Sequence, residues 1–294
     1  MAVRIPGAME GRPYRSGLDR VYLVGFATVV VLQLSAGAAQ LVTGIPVPAA
    51  TVVATAFVIA CMLRVHGLWG TMAFLGLVIA IPFASEFLGV LTGVPYGAYA
   101  YLDVPGPYVL GLVPIFIFIA WIHVGYLAIA STTAALGRSS LWLAPIDGLV
   151  ATAWDLLVDP VAVRSRFWTW LSPATVYGVP VSNFLGWFLV VTALSLAARW
   201  TWARDARAPA AAPRVVLSIL PGVLLASGLQ FGILAAAYGF IGSAIVGLAV
   251  LLTTIAIGWR RFATTARERL SPSPWIRRRV ARPAQESAEG DGRA

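Results

Sequence analysis

Residues 154–187 read WDLLVDPVAVRSRFWTWLSPATVYGVPVSNFLGW. Two apolar runs meet there across a short aromatic loop, and acids sit inside one of the runs. Asp155 and Asp159 stand four residues apart, one helical turn, so they share a face if that run is a helix. Trp168 and Trp170 follow in the loop, then Tyr177, Pro180 and Asn183 at the mouth of the next run. Acids and amides at such depth in a bilayer are costly, and they usually have a task.

Working outward, the chain is 59% hydrophobic and only 11% charged, with a mean hydropathy of +0.83. Soluble domains carry roughly a quarter charged residues. That deficit predicts an all-α, polytopic integral membrane bundle rather than a soluble domain. The formal charge is +9, and every basic residue is arginine. The arginines cluster between apolar runs and in the C-terminal tail, which points to membrane orientation and not to nucleic acid. Cys61 is the one cysteine and lies in an apolar run, so the chain has no internal disulfide and no cysteine-based metal site.

Eight spans are expected, at 20–43, 47–65, 68–91, 108–134, 140–159, 178–199, 215–236 and 239–259, with seven as the alternative count. Each is near the roughly 20 residues that cross a bilayer. A segment of residues 1–19 precedes this membrane domain of 20–260, and a basic tail, 261–294, is expected to lack fixed structure. With the N-terminus inside, every arginine except Arg164 and Arg166 falls on the inner side, including the group from Arg199 to Arg214. Both termini are therefore expected to be cytoplasmic, in a multi-pass protein of the cell membrane.

That topology brings Glu86, in the third span, to the depth of Asp155 and Asp159 in the fifth. The Tyr96, Tyr99 and Tyr101 loop and the mouth of the sixth span lie on the same side. An ionised acid near the bilayer centre costs roughly 2.5–3.5 kcal/mol on insertion scales, so a neutral Glu86, able to protonate a weak base, is expected. The DxxxD spacing of Asp155 and Asp159 also fits a magnesium-diphosphate element of a membrane prenyltransferase, but no second acid-rich cluster accompanies it. A non-catalytic lipid transporter or scaffold for other enzymes is a further reading. Asp159-Pro160 could simply end its helix near water. Asp147 is expected to pair with an arginine or a backbone group, and His66 to be solvated in an inner loop. His123, beside Trp121, is a candidate proton shuttle or interhelical hydrogen-bonder.

The stretches EFLGVLTGVPYGAYAY (86–101), TAWDLLVDP (152–160), FWTW (167–170) and YGVPVSNFLGW (177–187) together resemble the CruF-type carotenoid biosynthesis family of integral membrane carotenoid hydratases. The resemblance covers the central third of the chain; Phe often stands in the family where this chain has Tyr96. It implies addition of water to the terminal double bond of an acyclic carotenoid, of the C40 lycopene type or a C50 bacterioruberin precursor. It implies no redox cofactor or metal, and partners limited to the carotenoid, water, membrane lipids and other pathway enzymes. Hydration needs a proton donor, a shielded tertiary cation and a positioned water. Glu86 or Asp155 is the expected donor, and Asp159 with Asn183 is expected to hold the water. Tyr96, Tyr99, Tyr101, Trp121, His123, Trp154, Trp168, Trp170, Tyr177 and Trp187 are expected around the substrate, with aromatic faces toward the cation.

Overall fold

The computed structural model describes residues 17–137, 139–205 and 214–270, the side chains of 214 and 261–270 excepted. Among these residues, seven helices are long and apolar enough to cross a membrane. They are apolar around most of their circumference, as helices facing lipid on one side and other helices on the other must be. Large apolar side chains such as Val24, Val42, Leu189 and Ile245 stand exposed on the outside of the bundle. In water they would form a continuous sticky belt; in a bilayer they meet acyl chains.

In chain order the helices are α1 (Gly17–Thr43), α2 (Pro48–Val78), a π-helical turn (Ile79–Phe83), α3 (Ala84–Thr92), α4 (Ile115–Leu136), α5 (Ala144–Arg164), α6 (Val181–Arg204), α7 (Arg214–Ala237) and α8 (Ile241–Leu270). The run Pro48–Thr92 is 45 residues long. A straight helix of that length would reach about 67 Å, twice the hydrocarbon thickness. Yet Pro48 and Thr51 line the same cavity as Glu86. The chain turns back at Gly67, whose φ of 71° and ψ of −177° break the helix. Only glycine takes that conformation without strain. The run is thus two limbs joined at Gly67.

The loops after α1, α3, α5 and α7 gather on one face, called here the site face. The loop 93–114 carries three short strands. Strand β1 (Tyr99–Tyr101) pairs antiparallel with β4 (Trp168–Trp170), Tyr99 opposite Trp170 and Tyr101 opposite Trp168. A small hairpin of β2 (Tyr108–Val109) and β3 (Val113–Pro114) leads into α4. This ribbon ties the Glu86 limb to the end of α5, and a backbone buried at the membrane edge needs such pairing.

Several expectations change in the folded chain. Pro160 does not end its helix: α5 continues to Arg164, and Asp159 is buried. α8 runs on to Leu270, ten residues into the tail expected to lack structure; residues 1–16 and 271–294 lie outside the described residues. Arg199 is no headgroup arginine but a buried one. It forms a 2.8 Å ion pair with Asp147 and donates to Thr132, Thr133 and Ser139, while Thr132 and Ser195 also donate to Asp147. So Asp147 does pair with an arginine. His66 is stacked on Trp202, with ring centroids 3.9 Å apart, rather than solvated. The interfacial aromatic role falls to Trp69, Trp142, Trp200 and Trp259, all exposed toward the face away from the site.

Helices in lipid gain nothing from hydrophobic attraction to each other, so close packing through small residues has to hold them. A Cβ on Gly148 of α5 would sit 2.7 Å from the Phe188 carbonyl oxygen of α6. The two acid-and-amide helices therefore touch backbone to backbone, which is what brings Asn183 within reach of the α5 acids.

Candidate functional site

α5 presents Asp155 and Asp159 on one face, and Asn183, at the start of α6, comes against them. Asn183 Nδ2 donates to Asp155 Oδ2 at 2.9 Å and to Asp159 Oδ2 at 2.5 Å. Asn183 thus bridges the two carboxyls. The second oxygen of Asp155, Oδ1, is buried and accepts nothing among the described residues.

Glu86 comes from the other side. The π-helical turn at Ile79–Phe83 accommodates Pro82, and α3 then carries Glu86 in its first turn. Such turns absorb a proline by widening the helix, and they recur at functional sites. Its carboxyl accepts from three donors: Tyr99 Oη at 2.5 Å and Tyr101 Oη at 2.7 Å on Oε2, and Trp121 Nε1 at 2.9 Å on Oε1. The β-ribbon supplies both tyrosines and α4 the tryptophan. Burial, and then the charge of Glu86, raises the pKa of the Tyr99 and Tyr101 hydroxyls well above the ordinary tyrosine value. They stay protonated and keep donating. Tyr96 is buried between Gly89 and Gly186, where a Cβ would lie 2.9 Å and 2.6 Å from its ring. Its hydroxyl is 2.5 Å from Ser85 Oγ.

Between these two groups runs a cavity with about 970 Å³ of unfilled space, its open mouth included. Glu86, Asp159 and Asn183 line it together with Tyr96, Tyr99, Tyr101, Trp121, Trp154, Trp168, Trp170 and Trp187. Trp121 and Trp187 stack at 4.0 Å, and Trp170 packs against Tyr99 at 5.1 Å. The walls are aromatic and aliphatic, with a few converging polar groups, as a pocket for an apolar molecule requires.

Three of the residues expected at the site do not line the cavity. Asp155 stands behind Asp159, one turn deeper and fully buried. His123 faces away, with Thr55 Oγ1 3.4 Å from its Nδ1 and its ring beside Trp154. Tyr177 is held in the left-handed region, φ 50°, on the outside of the bundle. Its hydroxyl accepts from the Gly242 N–H at 3.1 Å. Sequence reasoning missed Gln40 and Gln230, buried amides that line the cavity. The signal was present: a glutamine in the middle of an apolar span is nearly as conspicuous as an acid.

Fold and site together define a polytopic membrane protein with a carboxyl-bearing, aromatic-walled cavity. The chain belongs to the family described as carotenoid biosynthesis protein, whose profile matches residues 47–254. It is similar to the bisanhydrobacterioruberin hydratase of Haloarcula japonica, 34% identical over 110 residues, which is 36% of this chain and 37% of that protein. The matched region thus spans little more than a third of the relative. No solved structure matches.

Proposed function

We propose that this protein is a carotenoid hydratase that adds water across the terminal double bond of an acyclic carotenoid. The observation that carries the reading is the placement of Asp159, backed by Asp155 and Asn183, on the same aromatic-walled cavity as Glu86. The similarity to a named hydratase supports it from outside the structure.

A trisubstituted alkene takes a proton on its less substituted carbon and becomes a tertiary cation. In our reading Asp159 gives that proton, and the Asn183 amide that donates to it stabilises the charge left behind. The tryptophan faces shelter the cation, an attraction of about 0.5–2 kcal/mol per ring. Water then adds through its oxygen and loses a proton to Glu86, which three donors hold in place. The proton returns from Glu86 to the aspartate pair through water, so each turnover consumes one water and no net proton. The sequence reading put the donor at Glu86 or Asp155; here it is assigned to Asp159, because Asp159 lines the cavity while Asp155 does not and the side chains bonded to Glu86 are all donors. Positioned acid–base groups of this kind contribute about 10²- to 10⁴-fold.

By the arginine distribution, the site face looks outward and both termini are cytoplasmic, with residues 20–260 as the membrane domain. Tags at each terminus, probed for accessibility in intact cells, test that orientation. Expression in a lycopene-making host, with bisanhydrobacterioruberin supplied in a second host, tests the chemistry. The expected product is a more polar pigment heavier by one or two waters. Unchanged pigment in both hosts, with the protein present in the membrane, rejects the reading. A product heavier by an isoprene unit and lost on chelation would establish prenyl transfer instead.

A further inference from the structure

The chemistry above needs Glu86 and Asp159 at a fixed separation across the cavity, yet they stand on different helices, α3 and α5. One residue reaches toward both. The Tyr96 hydroxyl lies 2.5 Å from Ser85 Oγ, and the Tyr96 backbone carbonyl accepts from Ser182 Oγ at 3.0 Å. Ser85 is the chain neighbour of Glu86, and Ser182 is the chain neighbour of Asn183. Asn183 in turn donates to Asp159 at 2.5 Å.

Counting hydrogens gives the direction of the first bond. Ser85 has one hydroxyl hydrogen and donates it to the Pro82 carbonyl at 2.6 Å. A hydroxyl donates once, so Tyr96 is the donor to Ser85. The pair thus ends on the π-helical turn that leads into α3, and the one hydrogen of the Tyr96 hydroxyl is spent there. The ring itself spans the gap between two helix backbones. A Cβ on Gly89 of α3 would stand 2.9 Å from its Cδ2 edge, and one on Gly186 of α6 would stand 2.6 Å from its Cδ1 edge. A buried ring seated that closely on both sides cannot shift without moving one of the helices.

We propose that Tyr96 is a positioning residue, a rigid spacer that sets the distance between Glu86 and the Asp159–Asn183 pair. It acts through Ser85 and Ser182, not by contact with the reacting atoms. This rests on the hydration reading and adds to it a residue outside the acid–base set. Water capture needs the oxygen near Glu86 and near the cation at once, and a misplacement of about 1 Å costs about 10²-fold in such a step. The effect of the spacer therefore falls on kcat.

The test uses the purified full-length protein in detergent, with lycopene and bisanhydrobacterioruberin as substrates. Tyr96→Phe keeps the ring and drops the bond to Ser85; kcat is expected to fall about 3- to 10-fold with KM within about twofold of wild type. Gly186→Ala presses on the ring edge and is expected to lower kcat about 10- to 100-fold, again at nearly constant KM. In a Glu86→Gln background the Tyr96→Phe effect is expected to shrink below about twofold, because the group it positions no longer acts. A rise in KM at constant kcat would overturn the proposal and make Tyr96 a wall of the substrate pocket. A Tyr96→Phe loss of the same size with and without Glu86 would overturn it too, as would no change in either variant. Ser85→Ala, Tyr96→Phe and their double variant, compared by thermal melting, read the bridge without any substrate. If wild type converts neither pigment while the two changes are non-additive in the melt, the bridge stands and the hydration reading falls; additive changes overturn the proposal.

Discussion

Replacing Asn183 by Leu removes both hydrogen bonds that reach the aspartate pair while keeping nearly the same volume. Asn183 is buried and donates to Asp155 at 2.9 Å and to Asp159 at 2.5 Å. Asp155 Oδ1 accepts nothing among the described residues, so after the change Asp155 retains Asp159 as its near neighbour and little else. A bond to a charged carboxylate is worth about 1.5–3 kcal/mol and one to a neutral carboxyl about 0.5–1.5 kcal/mol. Together they amount to about 2–4.5 kcal/mol, or roughly a 30- to 2,000-fold loss if all of it appears in the rate. The assay is pigment conversion per unit of protein in isolated membranes, paired with a thermal melt in detergent. The melt separates what is lost in catalysis from what is lost in folding. Asn183→Asp is the companion: a third carboxyl needs a further proton for the same pair chemistry, so its conversion should recover as the pH falls. Conversion by Asn183→Leu within about threefold of wild type, with an unchanged melt, would refute the reasoning.

Glu86→Gln keeps the shape of the side chain but sets an NH₂ group against either Trp121 or the Tyr99–Tyr101 pair, all of which donate to the carboxyl. Conversion should fall about 10²- to 10⁴-fold, read by chromatography of extracted pigments. Arg199→Leu strands Asp147 in the bundle and should cost about 3–5 kcal/mol of stability, seen as a lower melting temperature; Asp147→Leu added to it should restore much of the loss. Tyr177→Phe should leave conversion within about twofold of wild type, since the side chain lies outside the cavity and gives up only its bond to Gly242. Tyr99 and Tyr101 have pKa values raised by burial and by Glu86, so above pH of about 10 the unfolded chain loses protons that the folded chain keeps. Their contribution to stability is full below that pH and declines above it. Melting temperatures measured across that range should fall less steeply for Tyr99→Phe.

The helices were legible in the sequence because a bilayer allows few alternatives. A run of about 20 apolar residues must satisfy its own backbone, and only a helix does so locally. The convergence of Glu86 with Asp155 and Asp159 followed from counting crossings. Two of the expected spans share one helical run, bent at Gly67, so seven helices stand where eight spans were expected. The β-ribbon was not legible. YAY and WTW are three residues each and 69 positions apart in phase only by register, so their pairing is a product of the fold. For the same reason Tyr177 was misplaced: its ring looked like part of the aromatic loop, but docking on the α7–α8 turn carries it outside. Gln230 could be noticed in the sequence, yet its place in the cavity wall is a property of the packed neighbours.

Composition and spacing by themselves determined that the chain is a helical membrane protein, and which polar residues fall near the same end of their runs. These are one-dimensional properties, set by hydropathy and helical rise. Only the tertiary structure decided which atoms meet. It put Asn183 on both aspartates, three donors on Glu86, Asp155 behind Asp159, and Gln40 and Gln230 on the cavity wall. Those pairings depend on how closely α5 and α6 approach at Gly148, and on the rotation of each helix about its axis. In lipid, where every face of a span is apolar, no hydrophobic pattern in the sequence records that rotation.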